Sequence, residues 1–132
     1  MDLSNFDLTG SEELELRHPG TGLPLENDEG EAMTITLVGI DSSEWRQAQR
    51  KLTNRRLSLA RKGQQSALDA DALEEEGIDT LVACTKGWAG IQLDGEPLPF
   101  SAENARKLYT RFVWIREQVD RFVGNRANFT TA

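Results

Sequence analysis

The tightest constraint on this chain's fold lies between Ser101 and Gly124, where large apolar residues recur with a helical period. Leu108, Phe112, Ile115, Val119 and Phe122 follow at steps of four, three, four and three, which stacks them along one face of a helix. Tyr109, Val113 and Val123 widen the stripe beyond a coiled-coil seam. Ser101 is a residue type whose hydroxyl accepts from a free first-turn N–H, and Glu103 puts a negative charge where the helix dipole favours it. The spacing predicts one long amphipathic helix from near Ser101 to near Gly124. Pro97 and Pro99 stiffen its approach and set Phe100 to pack back on it. A helix of this kind buries its stripe, so the rest of the chain either covers it or leaves part of it to a partner.

The preceding chain supplies strands and a second kind of helix. Residues 1–13 read as a mobile acidic arm or a weakly attached strand. Glu13-Leu14-Glu15-Leu16-Arg17 and Met33-Thr34-Ile35-Thr36-Leu37-Val38 both alternate with period two, and the turn-rich middle makes 14–38 a β-hairpin. Leu23-Pro24-Leu25 suits an edge, where proline is tolerated. Asp41 followed by Glu44 has capping-box spacing, with Ile40 and Trp45 at the staple positions, and predicts a helix running to Gly63. Its apolar face is thin, which suits a surface helix. Ala67–Glu76 is a short acidic helical stretch. Ile78–Lys86 reads as a buried helix, with a central strand as the competing reading. The fold class is α+β: one small domain, a β-hairpin packed on a mainly helical part at 41–129, and a frayed tail at 130–132.

Length and charge bound the function. The 132 residues suit one domain with a real core, and the lone Cys84 excludes an internal disulfide. No apolar run approaches the ~20 residues of a membrane span, and the acidic N-terminus lacks the order of a signal peptide, so a cytoplasmic setting is expected. The net charge of −7 is segregated: residues 1–45 hold eleven acids against one arginine, whereas 46–62 hold seven basic residues and no acid. Such blocks imply either internal charge matching or contact with charged partners.

The residues that carry chemistry are sparse. His18, the single histidine, sits in a Pro-Gly turn and reads as exposed; Cys84 reads as a buried, inert thiol. Glu74-Glu75-Glu76 point in different directions on a helix, the loop Glu26–Glu31 lacks calcium-ligand spacing, and Gly20-Thr21-Gly22 is a turn without a phosphate-binding lysine. The expectation is a non-enzyme with no cofactor, no metal, no nucleic acid and no membrane. The basic helix is the main argument for a nucleic-acid reader. Against it stand the overall acidity and the lack of aromatic residues among the basic ones.

One stretch resembles a known family. Gly87-Trp88-Ala89-Gly90-Ile91, then Gly95-Glu96-Pro97-Leu98-Pro99-Phe100-Ser101-Ala102-Glu103-Asn104, and the close Trp114–Asp120 with Asn125-Arg126-Ala127-Asn128-Phe129, are similar to tail assembly chaperones of long-tailed bacteriophages and prophages. The resemblance covers about the last third of the chain. It implies a non-enzymatic factor in the host cytoplasm that binds the tape measure protein, keeps it soluble before tail tube polymerisation, and is absent from the mature virion. It also implies self-association, with the tail tube protein and a frameshifted longer form as further partners. Tyr109, Phe112 and Trp114 become candidate contact residues, weighed against plain core packing; Trp114 is the best of them because it lies off the main stripe. Arg50 and Arg55 are the candidates on the basic helix. The alternatives are a tail completion or head–tail joining protein and, behind it, a nucleic-acid-binding regulator.

Overall fold

The computed structural model describes residues 2–63 and 70–130. Strands β1 (Ser11–Glu15), β2 (Thr34–Val38) and β3 (Thr85–Ala89) form an antiparallel sheet in the order β1-β2-β3. β1 pairs with β2 from Ser11↔Val38 to Glu15↔Thr34, as the alternation requires. Ile35 and Leu37 point to the core and are fully buried, while Thr34 and Thr36 share the outer face with Glu13 and Glu15. The hairpin therefore begins three residues earlier than 14–38, because Ser11, Glu12 and Glu13 find ladder partners on β2. The remaining arm is short, with a single 3-10 turn at Leu3–Phe6.

Two helices follow β2. Helix α1 spans Ser43–Arg61 and α2 spans Ala70–Ala83. The N-cap of α1 is Ser42 rather than Asp41: the buried Ser42 hydroxyl donates to the Gly39 carbonyl (2.6 Å) and accepts from the Trp45 N–H (3.1 Å). Asp41 is drawn away by Arg126, whose guanidinium donates to it at 2.8 and 3.2 Å. The segment 78–86 combines both readings. It is helix through Ala83, then turns into β3, a strand inside the 41–129 region expected to be helical. The acidic stretch from Ala67 is helix from Ala70 onward; its first residues lie outside the described ones, as do 131–132 of the expected tail.

A second small hairpin, β4 (Gln92–Leu93) and β5 (Glu96–Pro97), turns at Asp94-Gly95. Both turn residues have positive φ (53° and 83°), the arrangement of a type I′ turn. The expected long C-terminal helix is in fact two: α3 (Ala102–Arg111) and α4 (Val113–Gly124), divided at an extended Phe112 (φ −115°, ψ 92°). Neither glycine nor proline causes the break. Phe112 keeps its N–H on the Leu108 carbonyl, and its own carbonyl accepts from Ile115 and Arg116, so both helix ends close on one residue. The break lets α3 and α4 pack separately, and α2 lies against both.

The core collects Ile35 and Leu37 from β2, Ile78 and Leu81 from α2, Leu108 from α3, and Ile115, Val119 and Val123 from α4, with Leu16 and Ile91 from the connecting segments; α1 buries only Ala48. Phe129 closes the fold by packing edge-on to Phe122 and against Gly39, where any Cβ would stand 2.7 Å from its ring.

Candidate functional site

The end of the β1–β2 hairpin folds back toward the α3–α4 break, and between them lies an apolar groove of about 360 Å3. One wall comes from the hairpin end: Leu16, His18, Pro19, Leu25 and Met33. The other comes from Leu108, Phe112, Trp114 and Ile115, with Ile91, Gln92 and Leu93 between them. All but His18 and Gln92 are apolar. Local hydrogen bonds hold the hairpin wall. Leu25 N–H donates to the Leu16 carbonyl and Met33 N–H to the Leu25 carbonyl, so Leu25 is bonded to both arms of the hairpin, with Pro24 bridged to Arg17. The His18 Nδ1 accepts from the Gly20 and Thr21 N–H groups (3.0 and 3.1 Å), which shapes the exposed turn. Gln118 on α4 ties the walls together: its amide accepts from the Arg17 N–H (3.0 Å) and donates to the Arg17 carbonyl (2.8 Å).

The helix break sets the other wall. Phe112 and Trp114 are half-buried and meet edge to face, with centroids 6.1 Å apart. Arg111 locks this corner by forking onto Asp94 of the β4–β5 turn (3.2 and 3.3 Å) while its guanidinium lies 5.0 Å from the centre of the Phe112 ring. Trp114, His18 and Pro19 also border a neighbouring cleft of about 490 Å3 whose remaining walls carry Glu15, Arg17, Glu117 and Arg121. Trp114 thus stands between an apolar slot and a rim of mixed charge. That is the anatomy of a site for an amphipathic segment: aliphatic side chains enter the slot and polar ones meet the rim.

The sequence candidates separate in space. Phe112 and Trp114 line the groove. Tyr109 does not: it is 0% exposed, and its hydroxyl donates to Thr85 Oγ1 (2.7 Å), which in turn donates to the Leu81 carbonyl (2.7 Å). Burial pushes the Tyr109 phenol up to about 12. Tyr109 is a core residue, and Val113, expected on the buried stripe, is exposed because the break turns it outward. Arg50 and Arg55 sit on α1 and border none of the groove; Arg55 lines a different cleft, between α1 and α2. Cys84 is buried, and desolvation first, then the charge of Glu44, raises its thiol to about 12. Among the described residues no group of three or more acidic, histidine or cysteine side chains is placed to hold a metal ion, and no helix is long and apolar enough to cross a membrane.

The motif stretch forms one unit. The Trp88 indole N–H donates to the Leu98 carbonyl (2.8 Å), and Phe100 packs edge-on to Trp88 at 5.1 Å instead of on α3. Asn104 donates to the Pro99 carbonyl (2.9 Å), and Ser101 caps α3 by accepting from the Asn104 N–H (3.0 Å). Gly90 passes so close to Ala32 that a Cβ would stand 2.3 Å from its carbonyl oxygen. This unit carries Ile91 and Leu93 into the groove. The family model for the YdaY prophage protein matches residues 40–132. The chain belongs to that family. The YdaY match runs from Ile40, two residues before the α1 cap, to residue 132, taking in the motif unit, the helix break and the Phe129 closure, and leaves β1 and β2 outside it. No curated protein and no solved structure matches the chain.

The hairpin wall of the groove was not foreseen. His18-Pro19, Leu25 and Met33 read as turn and strand residues, and nothing local says that this hairpin end faces α4. Leu93 had a signal: Asp94-Gly95 is a two-residue hairpin turn type, which places its flanking residues on a ribbon.

Proposed function

We propose that this prophage protein is a tail assembly chaperone, a non-enzymatic factor that binds the tape measure protein and keeps it soluble before the tail tube polymerises. The observation that carries the reading is the apolar groove at the α3–α4 break, with the half-buried Trp114 between it and a charged rim. A tape measure protein is long and largely helical, so an amphipathic helix is the segment it offers, and groove binding through a few side chains gives contacts modest enough to be displaced by tube subunits. The resemblance in Gly87–Asn104 and the prophage family support the same reading. On this reading the protein acts in the host cytoplasm and leaves before the virion is complete.

Co-expression tests it. The tape measure protein encoded alongside should become soluble with the wild-type chain and co-purify with it. Trp114→Ala, which removes a half-buried ring at the edge of the core, should cut the soluble fraction about tenfold, the loss of a typical aromatic anchor at an interface. A tape measure protein equally soluble without the chain would overturn the proposal. So would finding the chain at fixed copy number in purified particles, as a tail completion or head–tail joining protein would be.

A further inference from the structure

Among the described residues no ion pair joins the two blocks of opposite charge. Of the basic residues at 46–62, Arg56 alone forms an ion pair among the described residues, and its partner is Glu76 on the adjacent α2 (2.8 Å). Among the described residues none of the acidic side chains at 2–31 has an ion-pair partner. Internal charge matching therefore accounts for Asp41, Glu44 and Arg56, and leaves the rest of both blocks without an ion-pair partner among the described residues.

Each block also exposes apolar side chains. On the acidic arm, Leu3 is 80% and Phe6 50% exposed. They lie three residues apart on a 3-10 turn, so their side chains eclipse on one side. The turn is preformed: Asp2 accepts from the Ser4 N–H and hydroxyl (3.0 and 2.8 Å), and Asp7 accepts from Thr9 in the same way. On the basic helix, Leu57 is 52% exposed. Arg50 and Arg61 lie seven residues before and four after it, so all three share the face of α1 turned away from α2. An apolar pair flanked by two aspartates and a leucine flanked by two arginines are complementary in both respects. The spans differ, since Asp2 to Asp7 covers about 10–13 Å, a 3-10 turn with an extended residue at each end, and Arg50 to Arg61 about 16 Å at helical rise, a difference that two long side chains cover.

We propose that the arm of one copy docks on the outer face of α1 of a second copy, Leu3 and Phe6 against Leu57, Asp2 and Asp7 against Arg50 and Arg61. In the single chain both surfaces are open, which leaves each copy one arm and one receiving face. Such a contact is head-to-tail, so it builds rings or short chains rather than a closed two-fold dimer. The inference rests on this placement of charge and apolar surface, not on tape measure binding, and its test requires no tape measure protein.

Sedimentation velocity on the full chain across micromolar to millimolar concentration should show association that weakens about tenfold or more between low and high salt, as a contact carried by two ion pairs should. Asp2→Lys/Asp7→Lys and Arg50→Glu/Arg61→Glu should each be monomeric alone, because each presents like charges to itself. Mixed in equal amounts they should associate again, since both contacts between unlike variants are then complementary. Phe6→Ala should weaken association without restoring in any mixture. All of these positions are exposed, so the domain keeps its fold, which circular dichroism checks; the two lysines also remove the acceptors of the arm's turn, so recovery in the mixture is read on the intact arm of the Arg50→Glu/Arg61→Glu chain. Trp114→Ala should associate as the wild type does, separating this contact from the groove. A wild type that stays monomeric overturns the proposal. So does a mixture that fails to recover, or a monomer in which Phe6→Ala alone deprotects α1 from hydrogen exchange, which would put the arm on its own helix. Salt-sensitive binding of DNA duplex by the Arg50/Arg61 face with unchanged self-association would also overturn it.

Discussion

Helices α1 and α4 lie in the same small domain but are held in place by different forces. α4 buries Ile115, Val119 and Val123 in 12 residues, and α3 buries Ala105, Leu108 and Tyr109 in 10; α1 buries Ala48 alone in 19. The first pair is held by area removed from water, at about 1.5–3 kcal/mol for each fully buried aliphatic side chain. α1 is held at discrete points: the Ser42 cap, the Glu44–Lys86 pair (2.9 Å) and the Arg56–Glu76 pair. The lesson is that a helix with a thin stripe can still be long when capping and a few ion pairs fix it, and that its free surface then remains for other uses.

The largest effect should come from truncating the packed side. Val119→Ala, at a fully buried site, should cost about 1–3 kcal/mol and Leu108→Ala about 2–5 kcal/mol. Leu57→Ala on α1 should stay within about 0.5 kcal/mol. Denaturant melts of the three variants read this directly, and equal losses would erase the contrast. Next, Gly39→Ala should destabilise by about 1–3 kcal/mol, because the added methyl meets the Phe129 ring, and Phe129→Leu in the same chain should recover part of that loss. Smaller still, Ser42→Ala should cost about 1 kcal/mol and raise hydrogen exchange in the first turn of α1 more than in α4.

Acid should sharpen the comparison further. Hydrogen bonding to Arg126 holds the Asp41 carboxyl below its ordinary value, and hydrogen bonding to Lys86 does the same for Glu44. A carboxyl whose folded value is depressed contributes stability above its unfolded value, near pH 4, and loses it as pH falls through the folded value. The start of α1 should therefore loosen below about pH 4 while α3 and α4 keep their protection. Asp41→Asn/Glu44→Gln should flatten that dependence, as hydrogen exchange at several pH values would record.

Legibility in the sequence followed the range of the signal. The β1–β2 pairing was readable because alternation at Met33–Val38 is written in adjacent residues, and the Ser101 cap because donor and acceptor lie three residues apart. The α1 cap was read one residue early. Asp41 and Ser42 are both good capping types, and the choice fell to Arg126, far away in the chain, which takes Asp41 for itself. The groove was legible on one side only: Phe112 belongs to a visible stripe and Trp114 stands just off it, whereas His18, Leu25 and Met33 reach it through the fold-back of the hairpin.

By itself, then, the sequence determined an α+β domain, a surface helix with a narrow apolar edge, a wide apolar stripe after Ser101, and two opposed blocks of charge. These follow from periodicity and composition, which act over a few residues. Only the tertiary structure decided that the stripe divides at Phe112, that Tyr109 is sealed inside with its hydroxyl on Thr85, that 85–89 leaves the helix to join β2, and that the charge blocks stay apart. Each of those outcomes balances local preference against packing or hydrogen bonding to a segment distant in the chain, and no local pattern carries the distant term.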